Sequence, residues 1–80
     1  SYVPVHVQKG KQIQDVKFTC ENQSLTIRND GNFQFNAKLN VDDHSEKLVL
    51  LRNAELTKSF PIGSKVSLLQ DDQSLHECIL

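Results

Sequence analysis

Apolar residues recur at every second position over much of the chain, and the breaks in that alternation mark the turns. Over residues 33–41 the pattern runs without interruption through Phe33, Phe35, Ala37, Leu39 and Val41, with Gln34, Asn36, Lys38 and Asn40 between them. A period of two predicts a strand with one buried face. Val16, Phe18 and Cys20 alternate in the same way, "ENQS" interrupts, and Leu25 and Ile27 resume. Residues 16–28 therefore predict two short strands with a tight connection, or one strand carrying a bulge. Val3, Val5 and Val7 alternate with Pro4, His6 and Gln8. Pro4 cannot donate a ladder hydrogen bond, so residues 1–8 read as an edge strand or an entering linker.

The second half is less regular. "VDDHSEK" reads as an exposed loop. "LVLLRNAEL" joins a continuous apolar run to good helix formers; a strand is preferred because the stretch is short, with a helical turn near 53–58 as the competitor. "FPIGSKVSLL" places Pro-x-Gly punctuation before a strand over 66–69, "QDDQS" turns the chain, and "LHECIL" makes a last strand. About seven short strands predict an all-β fold: a small β-sandwich, or alternatively a small barrel of the OB or SH3-like kind.

The stretch "SLTIRNDGNFQFNAKLNV" decides how the strands are layered. Asp30-Gly31 favours a type I′ hairpin, which would keep both flanking strands in one sheet. Asn-Asp-Gly-Asn is also long enough to form a corner. A corner would put the two strands in facing sheets, with Leu25 and Ile27 touching Phe33 and Phe35 across the core.

Eighty residues make a single β domain, 1–80, near the lower end of what folds alone. Without Trp or Met the core must rest on Val, Leu, Ile and four Phe, which favours strands. A crosslink would matter at this size. Cys20 and Cys78 show no paired Cys/His spacing of a zinc site. If they bond, a loop of nearly sixty residues closes and stabilises the domain by roughly 4 kcal/mol. The alternative is two small buried thiols.

Charge and motifs narrow the chemistry. Nine Lys and Arg are scattered along a chain of net charge −1, so composition gives no push towards nucleic acid, which needs a dense basic face. Exposed aromatics among the cations are also wanting: Phe33 and Phe35 belong to the apolar row, which leaves Tyr2. No apolar run is long enough to span a bilayer. His76 and Cys78 stand two apart, but a nucleophilic pair needs an orienting group and an oxyanion hole to which nothing points. Asp42, Asp43, His44 and Glu46 offer oxygen ligands without the glycine bend of a calcium loop, and read as a solvated loop, as does Asp71-Asp72. Asn22-Gln23-Ser24 matches a glycosylation acceptor in an expected turn. These residues lead to no catalytic or metal site, no cofactor and no small-molecule substrate.

"DVKFTCENQSLTIRNDGNFQFNAKLNV", followed by "KSFPIGSKVSLL", resembles immunoglobulin-like domains, and among them the second domain of periplasmic chaperones of chaperone–usher pili. The resemblance covers about residues 16–69. It implies an immunoglobulin-like sandwich in the periplasm or another secreted setting, with "YVPV" matching the end of a preceding domain and its linker. The basic pair with which that family grips a subunit belongs to its other domain and has no match here. "KGKQIQDVKFTCENQSLTIR" is also similar to the first half of the sandwich domain of certain cytosolic heat-shock co-chaperones, without their tryptophan. Both resemblances imply a non-enzymatic module that binds another protein. Pairing of an extended segment with an edge strand, with Val3, Val5 and Val7 as the eligible edge, is the expected mechanism; a nucleic-acid-binding barrel is the alternative.

Overall fold

Three two-residue turns build the fold, and each opens on a short polar side chain that tolerates left-handed backbone. Asn22 (φ 51°), Asp42 (φ 54°) and Asp71 (φ 52°) start these turns, and Asp72 (φ 64°) completes the third. They close hairpins between β1 (Val16–Glu21) and β2 (Ser24–Asn29), between β3 (Phe35–Val41) and β4 (His44–Leu50), and between β6 (Lys65–Gln70) and β7 (Gln73–Ile79). The remaining strand, β5 (Glu55–Ser59), pairs antiparallel with β2. The computed structural model describes residues 11–80. The expected edge at Val3, Val5 and Val7, and Tyr2 with it, lies outside those residues.

The strands form two antiparallel sheets, ordered β1-β2-β5 and β4-β3-β6-β7. The sheets do not close into a barrel, so the fold is the expected β-sandwich. A seven-stranded immunoglobulin constant domain divides its strands four and three, with the fourth beside the fifth. Here β4 pairs with β3 instead, which makes the division three and four.

Alternation delivers one face of each sheet to a shared core. Leu25 and Ile27 from the first sheet meet Phe35, Leu39, Leu48, Leu50, Val66 and Leu68 from the second, all buried. Burying each such side chain stabilises by about 1.5–3 kcal/mol before the entropy of ordering is counted. Val16, Phe18, Cys20, Ala37, Val41, Leu56 and Phe60 pack around this cluster half-buried.

The turn at 29–32 is a corner, not a hairpin. Neither Asp30 nor Gly31 has the positive φ that a type I′ turn demands. Asn29 organises the crossing from 1% exposure. Its Nδ2 donates to the carbonyls of Phe33 (2.8 Å) and Leu50 (3.0 Å), and its Oδ1 accepts from the Gly31 N–H (3.0 Å). Its backbone exchanges hydrogen bonds with Asn53 and Ala54 in the turn that leads into β5. Asn29 thus links the two sheet-to-sheet crossings through its side-chain amide and its backbone together. Residues 11–15 lie against the corner: Asp30 and Asn32 N–H donate to the Asp15 and Ile13 carbonyls, and Asn32 Nδ2 donates to that of Lys11. Gly31 is required there, because a Cβ would stand 2.4 Å from the Ile13 oxygen.

Three expectations need correction. "VDDHSEK" is a loop only at Asp42-Asp43; from His44 the chain is already strand, held in register with Val41, Asn40, Leu39 and Lys38 of β3. Both faces of 44–47 are exposed, so no apolar alternation announced it. The stretch 48–56 is neither one strand nor a helical turn: β4 ends at Leu50, 51–54 turn with Asn53 at φ 63°, and β5 begins at Glu55. Phe33 falls in the corner, half-buried, and only Phe35 of that pair joins the core.

Candidate functional site

The sandwich has two flanks where the edges of its sheets face each other, and side chains finish them in different ways. On one flank, β1 faces β7. Cys20 and Cys78 alternate onto the inner faces of these strands and form a disulfide with a Cα–Cα separation of 6.8 Å. Two residues along each strand, the rings of Phe18 and His76 stack with centroids 5.2 Å apart and planes 7° apart. A register shift between Leu68 and Leu69 leaves Leu75 of β7 with no residue directly opposite. This flank is stapled.

On the other flank, β5 faces β4. Lys58 sits between Leu56 and Phe60 in the alternation and pairs in register with buried Leu25, so its side chain projects from the inner face of an edge strand. Glu46 occupies the equivalent place on β4, opposite Leu39. The two form an ion pair across the gap, with side chains 36% and 53% exposed. Inward charges on edges discourage indiscriminate pairing. An ion pair this exposed contributes at most about 1 kcal/mol.

Beneath it lies a cleft of about 320 Å³ lined by Leu39, Val41 and Phe60 on its apolar side and by His44, Ser45, Glu46 and Lys58 on its polar side. The outer edge of β4 has no partner strand among the described residues. β4 is seven residues long and contains neither Gly nor Pro, and its pairing with β3 has no register shift. The other free edges differ: β5 has five residues, and β1 and β7 are stapled. Unpaired backbone donors and acceptors beside an apolar cleft can take an extended chain, with the ladder supplying affinity and the cleft sorting side chains.

The residues singled out from the sequence fall as follows. Cys20 and Cys78 are joined, so Cys78 presents no thiol to His76, which is engaged with Phe18. Asp42, Asp43, His44 and Glu46 do not converge: Asp42 Oδ1 accepts from the Lys65 N–H (3.0 Å) while Glu46 pairs with Lys58. Among the described residues no three His, Cys, Asp or Glu side chains come together as metal ligands. Asn22 sits exposed at the tip of the β1–β2 hairpin. Three cations are spoken for, Lys17 by Asp15 at 3.1 Å, Lys58 by Glu46 and Arg28 by Asp30. The hydrogen bond from Arg28 Nε to Asp30, and the charge of that carboxylate, hold the Arg28 pKa above its ordinary value.

The β4–β5 flank escaped sequence reasoning, although one signal for it was present. In "ELTKSF" the alternation Leu56, Lys58, Phe60 carries a lysine onto an otherwise apolar row. Such an intrusion marks an inner face that reaches solvent. Comparison with protein-family models, with curated proteins and with solved structures returns no match.

Proposed function

We propose that this chain is a non-enzymatic protein-binding module that takes an extended segment of another protein along β4, with alternate side chains of that segment entering the neighbouring cleft. The supporting observation is the juxtaposition of a regular seven-residue edge, free of Gly, Pro and bulge and guarded by the inward charge of Glu46, with a partly apolar cleft that the Glu46–Lys58 pair borders. Disulfides form and persist in oxidising compartments, so the Cys20–Cys78 bond supports a periplasmic or secreted setting. A sandwich in that setting accords with the resemblance to pilus-assembly chaperones.

The test is a selection of random-sequence displayed peptides against the disulfide-bonded domain, followed by amide hydrogen exchange of the complexes. Edge amides of β4 exchange freely when unpaired and are expected to gain protection when a peptide adds as a strand. Selected peptides that leave the amides of residues 44–50 unprotected, or no selected peptides at all, would refute the assignment.

A further inference from the structure

The outward face of the β3–β4 ladder points to the chemistry of the segment that β4 takes. Lys38 and Lys47 stand directly opposite each other there. Like charges so placed destabilise a sheet, because the Cβ atoms of such a pair are only about 5 Å apart. Along β4, the neighbours of Lys47 on this face are Ser45 and Val49, and across from them on β3 lie Asn40 and Asn36. None of the four offers a negative charge. Lys38 shares a cleft with Leu69, Asp71 and Asp72 on its far side, so acidic groups lie towards Lys38 and away from Lys47. Among the described residues neither lysine makes an ion pair. Among the described residues, the near side of Lys47 is the free edge of β4.

A strand added to that edge would continue the row. Its residue opposite Lys47 would share the outward face, while the residues before and after it would point inward, one beside Glu46 at the cleft and one beside buried Leu48 at the margin of the core. We infer that the segment bound by β4 carries the pattern apolar–acidic–apolar, with the acidic residue set opposite Lys47. This inference rests on the proposed strand addition and adds its partner chemistry. The acid completes a row that is otherwise Lys beside Lys, while of the apolar pair one enters the cleft beside Glu46 and the other covers the core margin at Leu48.

Synthetic nine-residue peptides that alternate apolar and threonine residues, with Asp, Asn or Lys at the central outward position, are the probes. Affinity is measured at low and high salt, with β4 amide protection recorded for each complex. Binding of the Asp peptide is expected to be roughly two- to fivefold tighter than that of the Asn peptide, and the Lys peptide weaker by a similar factor, at low salt. Both differences should shrink in high salt. In the Lys47→Glu protein the order should reverse. That variant is expected to fold, since it replaces a like-charge pair with an attractive one, and its urea midpoint checks this. If the Asn peptide protects β4 but the Asp peptide gains nothing, or the order survives Lys47→Glu, the charge rule is overturned while strand addition stands. If no peptide protects β4, both are overturned.

Discussion

Asn29 is the residue whose alteration most directly probes the corner, and changing it to aspartate makes the cost depend on pH. The Asn29 Nδ2 group faces two carbonyl oxygens, those of Phe33 at 2.8 Å and Leu50 at 3.0 Å, from 1% exposure. Asn29→Asp keeps the shape and replaces two N–H donors with, at most, one O–H. Below the ordinary aspartate pKa of about 3.9 the acid is neutral in both states, and the loss is one buried hydrogen bond, about 1–3 kcal/mol. Above it, the unfolded carboxyl ionises while the folded one, buried against carbonyl oxygens, keeps its proton. A folded pKa raised above the unfolded value means that stability present at low pH is lost as pH rises. The loss is about 1.4 kcal/mol per unit until the folded pKa is reached. Domains of this size have about 4–12 kcal/mol in all, so a pH-dependent loss of about 4 kcal/mol by neutral pH, added to the lost hydrogen bond, removes about half or more of the stability. Asn29→Ala should cost roughly 3 kcal/mol with no such slope, because it strands two carbonyls and the Gly31 N–H. Urea titrations from pH 3 to 7 with the disulfide intact, taken as differences from the unmutated protein, measure both. A flat difference for Asn29→Asp, or a loss under about 1 kcal/mol for Asn29→Ala, would refute the role assigned to this amide.

Replacing Cys20 and Cys78 with serine should lower stability by about 4 kcal/mol, given a sequence separation of 58, with amide protection lost first in β1 and β7. A urea midpoint unchanged from the oxidised protein would contradict this. Combining Asp71→Asn with Asp72→Gly should stabilise the β6–β7 hairpin by about 1 kcal/mol, because both positions have positive φ (52° and 64°). The expected rise in thermal midpoint is about 4–8 °C, and a fall would show that the carboxylates serve the turn in some other way. Gly31→Ala should cost about 2 kcal/mol, since the new Cβ meets the Ile13 oxygen at 2.4 Å, and should speed amide exchange at Asp30 and Asn32. An unchanged exchange pattern would mean that residues 11–15 are not clamped against the corner.

How much of this was legible in the sequence follows from how each residue is buried. Where one face of a strand is covered, alternation reports it: Val16 to Cys20, Leu25 and Ile27, and the row from Phe35 to Val41 were all visible. The first half of β4 was not, because its inner-face residues His44 and Glu46 reach solvent and the β3 ladder alone holds them extended. The corner was visible as a possibility, but Asn-Asp-Gly-Asn is equally consistent with a hairpin. The choice was made by Asn29 finding the carbonyls of Phe33 and Leu50, partners that local sequence does not name. The disulfide was likewise open until the two sheets brought β1 and β7 together. The candidate site was the least legible part, because a cleft formed between β4 and β5 depends on two edges whose residues are far apart in the chain.

The asymmetry of the flanks explains why a partner strand would go to β4. The disulfide flank is closed by a covalent crosslink and an aromatic stack. The opposite flank is closed by an exposed ion pair contributing no more than about 1 kcal/mol. Displacing Glu46 from Lys58 thus costs little, while a segment laid along seven residues of β4 gains several ladder hydrogen bonds at about 0.5–1.5 kcal/mol each, together with apolar area against half-buried Val41 and Phe60. Most of that gain offsets the ordering of an extended chain, at about 1–2 kcal/mol per residue. What remains for affinity depends on the side chains, so a backbone edge alone would hold a partner weakly and without preference. Selectivity under the proposed function must then come from the row beside Lys47 and from the fit of inward residues to the cleft, the two features that the charge-swapped peptides address.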